Sequence, residues 1–445
     1  MNVLAEESNA AIKQLNPYVY DMLSRMGKEL FFPRGILTQS AEAKLKAHKI
    51  NATIGIAKEK GQVMSLSSIT SPVGGLEPDE FLPYAPSFGL PSLREQWQKS
   101  LFKKNPSLEG KCVSLPVVTS GITHAVSTFA DMWMDPGDVV ILPDMMWGNY
   151  NMTFGVRNQA EVVTYNTFNA TLTGLDLEAF EKAMGDRAAT GNKIITILNF
   201  PNNPSGYSPT LAESEKMAAI LLDIAQQGTD VVVGCDDAYF GLFFEQETMK
   251  ESIFSLLAGS HERIAAVKLD GATKEDYVWG LRTGFVTYGF SAASQSQEQN
   301  QDLAPLYAAM EQKTAGCIRG NISNVSHLSQ TIVLKAMESA GYLDEKKEKF
   351  NILKSRAQAI KSVLKDSVYQ DAWDVYPFNS GYFMCIRLRG VDAETLRLHL
   401  LDTYGVGLIA IGRRNIRVAF SCMEKDEVKV LFDIILKGIK DLKQI

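Results

Sequence analysis

The stretch DGATKEDYVWGLRTG, residues 270–284, closes the apolar run RIAAVKLD (263–270) with Lys274 and follows it, eight residues later, with Arg282. A lysine in a dry pocket at the end of such a run loses proton affinity through desolvation. The neutral amine is then a nucleophile toward a carbonyl carbon. Arg282, between Gly280 and Gly284, offers a planar fork that matches phosphate. A solvated loop carrying one lysine and one arginine reads the same way in isolation, so the neighbouring strand ends decide the matter.

Upstream of this stretch the chain alternates short apolar runs with helical periodicity. The runs SLPVVTSG (114–121), VVILP (139–143), EVVTYN (161–166), KIITILNF (193–200) and DVVVGCDDAY (230–239) read as strands, and GFVTYGF (284–290) adds another. Between them THAVSTFADMWM (123–134), LDLEAFEKAM (176–185) and LAESEKMAAILLDIAQQ (211–227) read as helices. Continuous apolar strands alternating with helices indicate a parallel sheet covered on both faces. Ligands of such sheets gather at the carboxyl ends of the strands.

Four strand ends carry chemistry. Thr119-Ser120-Gly121 leads into a helix whose first N–H groups, at Ile122 and Thr123, can hold an anion. KIITILNF runs into Asn202-Asn203-Pro204-Ser205-Gly206, a turn whose amide can aim a donor into a cleft. DVVVG ends in Cys235-Asp236-Asp237-Ala238-Tyr239, and a carboxylate there is costly unless a partner holds it. The fourth end supplies Lys274. Amine, carboxylate, arginine and a helix start describe a pyridoxal-phosphate site.

The remaining chain bounds the reading. With 445 residues, 45% hydrophobic and 22% charged, it is an ordinary folded chain of about two domains. The net charge of −6 comes from intermixed signs, with no basic stripe for nucleic acid. Five scattered cysteines form neither a disulfide frame nor a metal site. The start, MNVLAEESNAAIKQLNPY, lacks the apolar core of a signal peptide, and no run is long enough to span a bilayer, so the expected place is the cytoplasm, away from membranes. Residues 1–50 read as amphipathic helix broken at Pro33-Arg34-Gly35, and NATIGIA (51–57) reads as a short strand. After about 320 come helices near 326–340, 344–365, 392–403 and beyond 424, interleaved with the strand-like WDVYP, GYFMCIRLR, VGLIAI and NIRVAFS: an α+β unit with a mainly antiparallel sheet. The polar SAASQSQEQNQD (291–302) reads as a connection.

In order and spacing, YAPSFGLPSLR (84–94), TSG (119–121), WGNY (147–150), NNPSG (202–206), DDAY (236–239), TKEDYVWGLRTG (273–284), IRGNISN (318–324) and NIRVAF (415–420) resemble the fold-type I pyridoxal-phosphate enzymes, specifically the class I/II aminotransferases of the aspartate and aromatic kind. The resemblance covers about residues 50–425. It implies an α/β fold whose large domain, 60–325, holds a mainly parallel seven-stranded sheet covered by helices, with a smaller domain from 1–59 and 326–445. Lys274 is implied as the Schiff-base lysine and proton carrier, Asp236 as the partner of the pyridine nitrogen, and Asn203 and Tyr239 as donors to the phenolic oxygen. Trp147 is implied to stack on the ring. Gly121, Ile122, Thr123, Thr273 and Arg282 are implied around the phosphate, with Tyr84 reaching it across a homodimer interface. On the substrate side the resemblance implies Arg417 for the α-carboxylate, with Trp147, Asn203 and Gly55 nearby. Arg319, four residues before Ser323, matches the arginine that aspartate-type enzymes lend from the neighbouring subunit to a distal carboxylate.

The implied activity is ping-pong transfer of an amino group from a dicarboxylic or aromatic L-amino acid to a 2-oxo acid such as 2-oxoglutarate. A β-lyase or decarboxylase would use the same lysine, aspartate and arginine, and a non-catalytic binding relative would not need Lys274. Two positions depart from the family pattern: Gly271 stands where many members carry a phosphate-binding serine, and Thr273 replaces the serine before the lysine.

Overall fold

The computed structural model describes residues 2–15, 17–31, 35–292 and 303–443. Seven strands form the main sheet: β1 (Val117–Thr119), β2 (Val139–Pro143), β3 (Glu161–Tyr165), β4 (Lys193–Asn199), β5 (Asp230–Asp236), β6 (Ile264–Asp270) and β7 (Gly284–Gly289). Their spatial order is β1-β7-β6-β5-β4-β2-β3, with β7 antiparallel to both neighbours and the other six strands parallel.

Alternation along the central strands sends side chains into two separate cores. On β4, Ile195 and Ile197 join one core while Ile194 and Leu198 join the other. On β5, Val232 faces the first, and Val231, Val233 and Cys235 face the second. The helix Ile122–Trp133 covers the first face with Ile122, Ala125, Val126, Phe129 and Ala130, the i, i+3, i+4 spacing of one helical stripe. The helix Leu211–Gln226 covers the second with Met217, Ile220, Leu221 and Ile224, and starts in a capping box between Thr210 and Glu213. The period of 2 then places Asp236 on the first face. Lys268 and Asp270 of β6 fall on the second.

A second sheet has the order β8-β9-β11-β10, all antiparallel: β8 (Trp373–Val375), β9 (Phe383–Leu388), β10 (Ile409–Ile411) and β11 (Asn415–Ala419). Arg417 lies on the inner strand β11, opposite Cys385 and Ile409, and is 1% exposed. Helices Tyr342–Val363, Ala393–Tyr404 and Glu427–Lys443 flank this sheet. No described helix is long and apolar enough to cross a membrane.

The two sheets are joined beside the lysine turn. Lys346, from the helix Tyr342–Val363, sits 2.7 Å from Glu275 and 2.8 Å from Asp276. Tyr342 donates to Asp276 at 2.5 Å, and Lys104 reaches Glu275 at 2.6 Å. Two lysines hold the buried Glu275 carboxyl down at about 2, although burial opposes them.

Several local expectations are revised. NATIGIA forms no full strand: only Ile50–Asn51 pairs, in parallel with Val406–Gly407, and Ile54, Gly55 and Ile56 form a bend. Its carbonyls are taken up by side chains and by the backbone N–H groups of Met64 and Ala419 rather than by a strand ladder. The helix Ala304–Asn321 is not anticipated in the sequence reading, although a proline in its first turn suits a helix start. The N-terminal region is helical at Val3–Leu15, Pro17–Met22, Arg25–Glu29 and Ile36–Lys46. Of the expected break, Pro33 and Arg34 lie outside the described residues, as do 293–302 of the polar connection.

Candidate active site

The carboxyl ends of β4, β5 and β6 open onto one cavity of about 180 Å³. Lys274, Asp236, Tyr239, Asn203, Trp147, Ile122, Thr123, Gly55 and Arg417 all line it. Residues not singled out from sequence complete the wall: Ile36, Asn199, Ala238 and Phe383.

Lys274 sits in the one-turn helix Ala272–Glu275 that follows β6, and its carbonyl accepts from the Tyr382 hydroxyl at 3.2 Å. Its ammonium lies 5.1 Å from the Tyr239 ring centroid. Burial brings its pKa down to about 8; Asp236 opposes this and Arg282 adds to it. The amine therefore gives up its proton more readily than a free lysine and becomes neutral as pH rises through about 8.

Asp236 ends β5. Its Oδ2 accepts from the Tyr150 hydroxyl at 2.5 Å and its Oδ1 from the Ala238 N–H at 3.1 Å. Burial pushes its pKa up, countered first by the Tyr150 hydrogen bond and then by Lys274. Tyr150 belongs to the WGNY run, but nothing in a lone tyrosine reveals that it faces Asp236. Trp147 meets Tyr150 edge-on at 5.6 Å between centroids.

The Asn199 Nδ2 donates to the Asp236 carbonyl at 3.0 Å, and its Oδ1 accepts from the Asn203 N–H at 2.9 Å. Arg417 in turn fixes the Asn203 amide. Its Nη1 donates to Asn203 Oδ1 at 3.1 Å, and since a guanidinium only donates, the oxygen must face it. Asn203, which lines the cavity, keeps its NH₂ as a donor. Arg417 Nη2 donates to the Thr53 carbonyl at 2.7 Å, its guanidinium lies 4.2 Å from the Phe383 ring centroid, and its Nε is buried with no partner among the described residues.

An anion site adjoins the lysine. Because β7 runs antiparallel, Gly284 at its start pairs with Thr119 at the end of β1. That register brings Arg282 beside the start of the helix Ile122–Trp133. Gly121, at φ +77°, leaves the cup open: a Cβ there would stand 2.8 Å from Arg282 Nη2. The first N–H groups of the helix have no intrahelical partner. Cup, arginine and bare N–H groups suit a phosphate, while amine, buried carboxylate and free amide suit the ring of pyridoxal phosphate; the residues present fit that cofactor.

The departures acquire a reason. A Cβ at Gly271 would lie 2.6 Å from the Thr283 carbonyl oxygen and 2.8 Å from Gly284 Cα, so the close approach of β6 to β7 leaves no room for a serine. Thr273 is buried and its hydroxyl donates weakly to the Thr283 carbonyl at 3.4 Å, away from the cavity lining. Tyr84 is 90% exposed. Arg319 is exposed at the end of Ala304–Asn321, donates to Ser323 Oγ at 2.7 Å, and pairs with no carboxylate among the described residues. Neither touches the cavity of its own chain.

Comparisons with known proteins agree with this geometry. The family pattern "Aminotransferase class I and II" matches residues 75–435. The chain is 23% identical over 347 residues to a probable N-acetyl-LL-diaminopimelate aminotransferase of Bacillus subtilis, covering 76% of this chain and 77% of that protein. It is 25% identical over 239 residues to an aspartate aminotransferase of Bacillus sp. (strain YM-2), covering 51% of this chain and 56% of that one. Among solved structures, an aminotransferase from Anaerococcus prevotii superposes with a TM-score of 0.82 at 21% identity, covering 94% of this chain and 99% of that one. A Pyrococcus horikoshii kynurenine aminotransferase, solved with PMP, superposes at 0.76 and 16% identity, covering 96% and 99%. The fold, the cavity and the matched 75–435 span lead to one conclusion: this chain belongs to the class I and II aminotransferase family and is a pyridoxal-phosphate-dependent transaminase of fold type I.

Proposed function

We propose that the protein, as a homodimer, moves the amino group of a dicarboxylic L-amino acid such as aspartate to a 2-oxo acid such as 2-oxoglutarate. The observation that carries the reading is the convergence of Lys274, Asp236 and Arg417 on one cavity. Bound pyridoxal phosphate supplies an electron sink for the electron pair of the substrate Cα–H bond. The rest is done by the chain. Arg417, its Nε unpaired, binds the α-carboxylate and points the Cα–H bond at Lys274. Lys274, neutral above about pH 8, takes the proton at the substrate Cα and would deliver it to the cofactor's C4′. Asp236, whose rise on burial Tyr150 and Lys274 oppose, would hold a proton on the ring nitrogen. Asn203 and Tyr239 donate to the phenolic oxygen, and the helix start at Ile122 and Thr123 with Arg282 holds the phosphate. Tyr84 and Arg319, both turned outward, act at the active site of a second copy.

A second reading has its own support. Among the described residues the cations lining the cavity are Lys274 and Arg417, and Ile36, Ile122, Trp147 and Phe383 contribute apolar wall. Unless Arg319 arrives from a second copy, those walls suit an aromatic amino acid. One panel separates the two. Aspartate, glutamate, phenylalanine and tyrosine are tested as donors to 2-oxoglutarate, with wild type and Arg319→Ala. Selective loss of the dicarboxylic donors in Arg319→Ala supports the first reading. Unchanged donors with aromatic preference support the second. Release of pyruvate and ammonia without an acceptor overturns both.

A further inference from the structure

The wall of the cavity at Gly55 is the segment Ala52–Ile56, which bends at Ile54–Ile56, and its carbonyls are held almost one by one from a single stretch of the small sheet and the turn after it. The Ala419 N–H donates to the Ala52 carbonyl at 2.9 Å, and Arg417 Nη2 to that of Thr53 at 2.7 Å. Just beyond β11 the holders become side chains. The Cys422 thiol reaches the Ile54 carbonyl at 2.9 Å and that of Ile56 at 3.2 Å, and the Ser421 hydroxyl donates to Ile56 at 2.6 Å. Burial pushes the Cys422 thiol up, so the sulfur keeps its proton and remains a donor at neutral pH. At the crest of the segment, a Cβ on Gly55 would lie 3.4 Å from the Phe383 ring and 3.7 Å from the Tyr239 hydroxyl.

We propose that Ser421 and Cys422 are positioning residues for the amino-acid substrate: they fix the height of Gly55 over the cavity and lock that wall to Arg417, so that wall and carboxylate-binding arginine move as one body. This rests on the assignment of Arg417 to the α-carboxylate. The chain from cause to effect is short. Arg417 and the two latch residues lie within six positions on one strand and its following turn, and all three bind the same five-residue segment. Without the latch, the Ile54 and Ile56 carbonyls turn to water, which they can do cheaply because Ile54 is 44% exposed. The wall then drifts from Phe383 and Tyr239, and the substrate side of the cavity widens. Asp236 ends a strand of the main sheet, and Lys274 and Arg282 lie between two others, β6 and β7, so the cofactor's surroundings stay as they are.

The test uses the holoenzyme with Ser421→Ala, Cys422→Ala and the conservative Cys422→Ser. The expected result is a KM for the amino donor raised roughly fivefold to tenfold in the alanine variants, with kcat within about twofold and Cys422→Ser close to wild type. The visible absorption band of the bound cofactor is expected to keep its position, and a non-reactive dicarboxylate titrated against that band is expected to bind more weakly by the same factor as KM. Unchanged KM and unchanged inhibitor binding overturn the proposal. A parallel fall of kcat and melting temperature without rescue by Cys422→Ser also overturns it, since that is a merely structural role. An Arg417→Lys arm reports separately on the assignment beneath: if it leaves KM unchanged, the carboxylate role of Arg417 falls, and the latch proposal falls with it.

Discussion

The Tyr150 hydroxyl and Asp236 Oδ2 lie 2.5 Å apart, with both side chains buried. Tyr150 is the largest influence holding the Asp236 pKa down against burial. Removing the hydroxyl in Tyr150→Phe therefore lets that pKa rise further. The carboxyl works in its ionised form, so the acid limb of the kcat/KM profile moves to higher pH. At neutral pH the loss is expected to be roughly tenfold, the size of one hydrogen bond to a charged group. A profile that superposes on wild type would refute the assignment.

Lys274 carries its own pH signature. With a pKa of about 8, the amine becomes neutral as pH rises through that value. The rate at which cofactor-free protein takes up pyridoxal phosphate is expected to climb through pH 8 and then level, as followed by stopped-flow absorbance. The stability sign follows from the same shift. Between about 8 and 10.5 the unfolded chain binds the proton and the folded chain does not, so this group makes stability rise with pH across that window and costs stability below it. Lys274→Ala should remove the visible band and lower turnover by at least about 10²-fold.

At Gly271 the familiar serine is expected to do harm. Gly271→Ser forces its Cβ against the Thr283 carbonyl oxygen and Gly284 Cα, at a cost of about 1–3 kcal/mol. The β6–β7 seam that carries Arg282 must then open. Calorimetry should find a lower melting temperature, and fluorescence titration a weaker hold on the cofactor. Tighter cofactor binding with an unchanged melt would show that the seam yields without loss.

The ion pairs behind the lysine turn make a separate prediction. Lys346→Met leaves Glu275 with Lys104 alone and Asp276 with Tyr342 alone, in a buried setting. Breaking such a pair on one side costs about 3–5 kcal/mol. Chemical denaturation should register that loss. The triple change Lys346→Met, Glu275→Gln, Asp276→Asn should recover part of it, because the one charge then left without its carboxylate, Lys104, has a partly exposed side chain.

Much of this molecule was legible in the sequence, and the reasons are local. Apolar runs and helical stripes mark both faces of the main sheet, and Asp236, Asn203 and Lys274 could be found because each ends a run that announces itself. Arg417 could be placed only through the order of family motifs, since an arginine on a strand carries no periodic signal. The contacts of Tyr150, Phe383 and Ile36 depend on long-range packing, which spacing does not encode. The Ala52–Ile56 segment misled because an apolar run buried by side-chain donors has the same composition as one buried in a sheet. Gly271 reads as a missing ligand in sequence and as a steric requirement in space.

The antiparallel seventh strand has a consequence for how the protein is born. β1 stands at the sheet's edge with β7 as its neighbour, and Thr119 must wait for Gly284, 165 residues later, before it is paired. A nascent chain that has already made β2 through β6 therefore holds half an anion cup at Gly121 and no arginine to close it. Such distant pairings come late, because the chain's loop-closure entropy must be met first. On the proposed assignment of Gly121 and Arg282 to the phosphate, only a chain whose last strand has entered the sheet would present both halves of the cup to the cofactor.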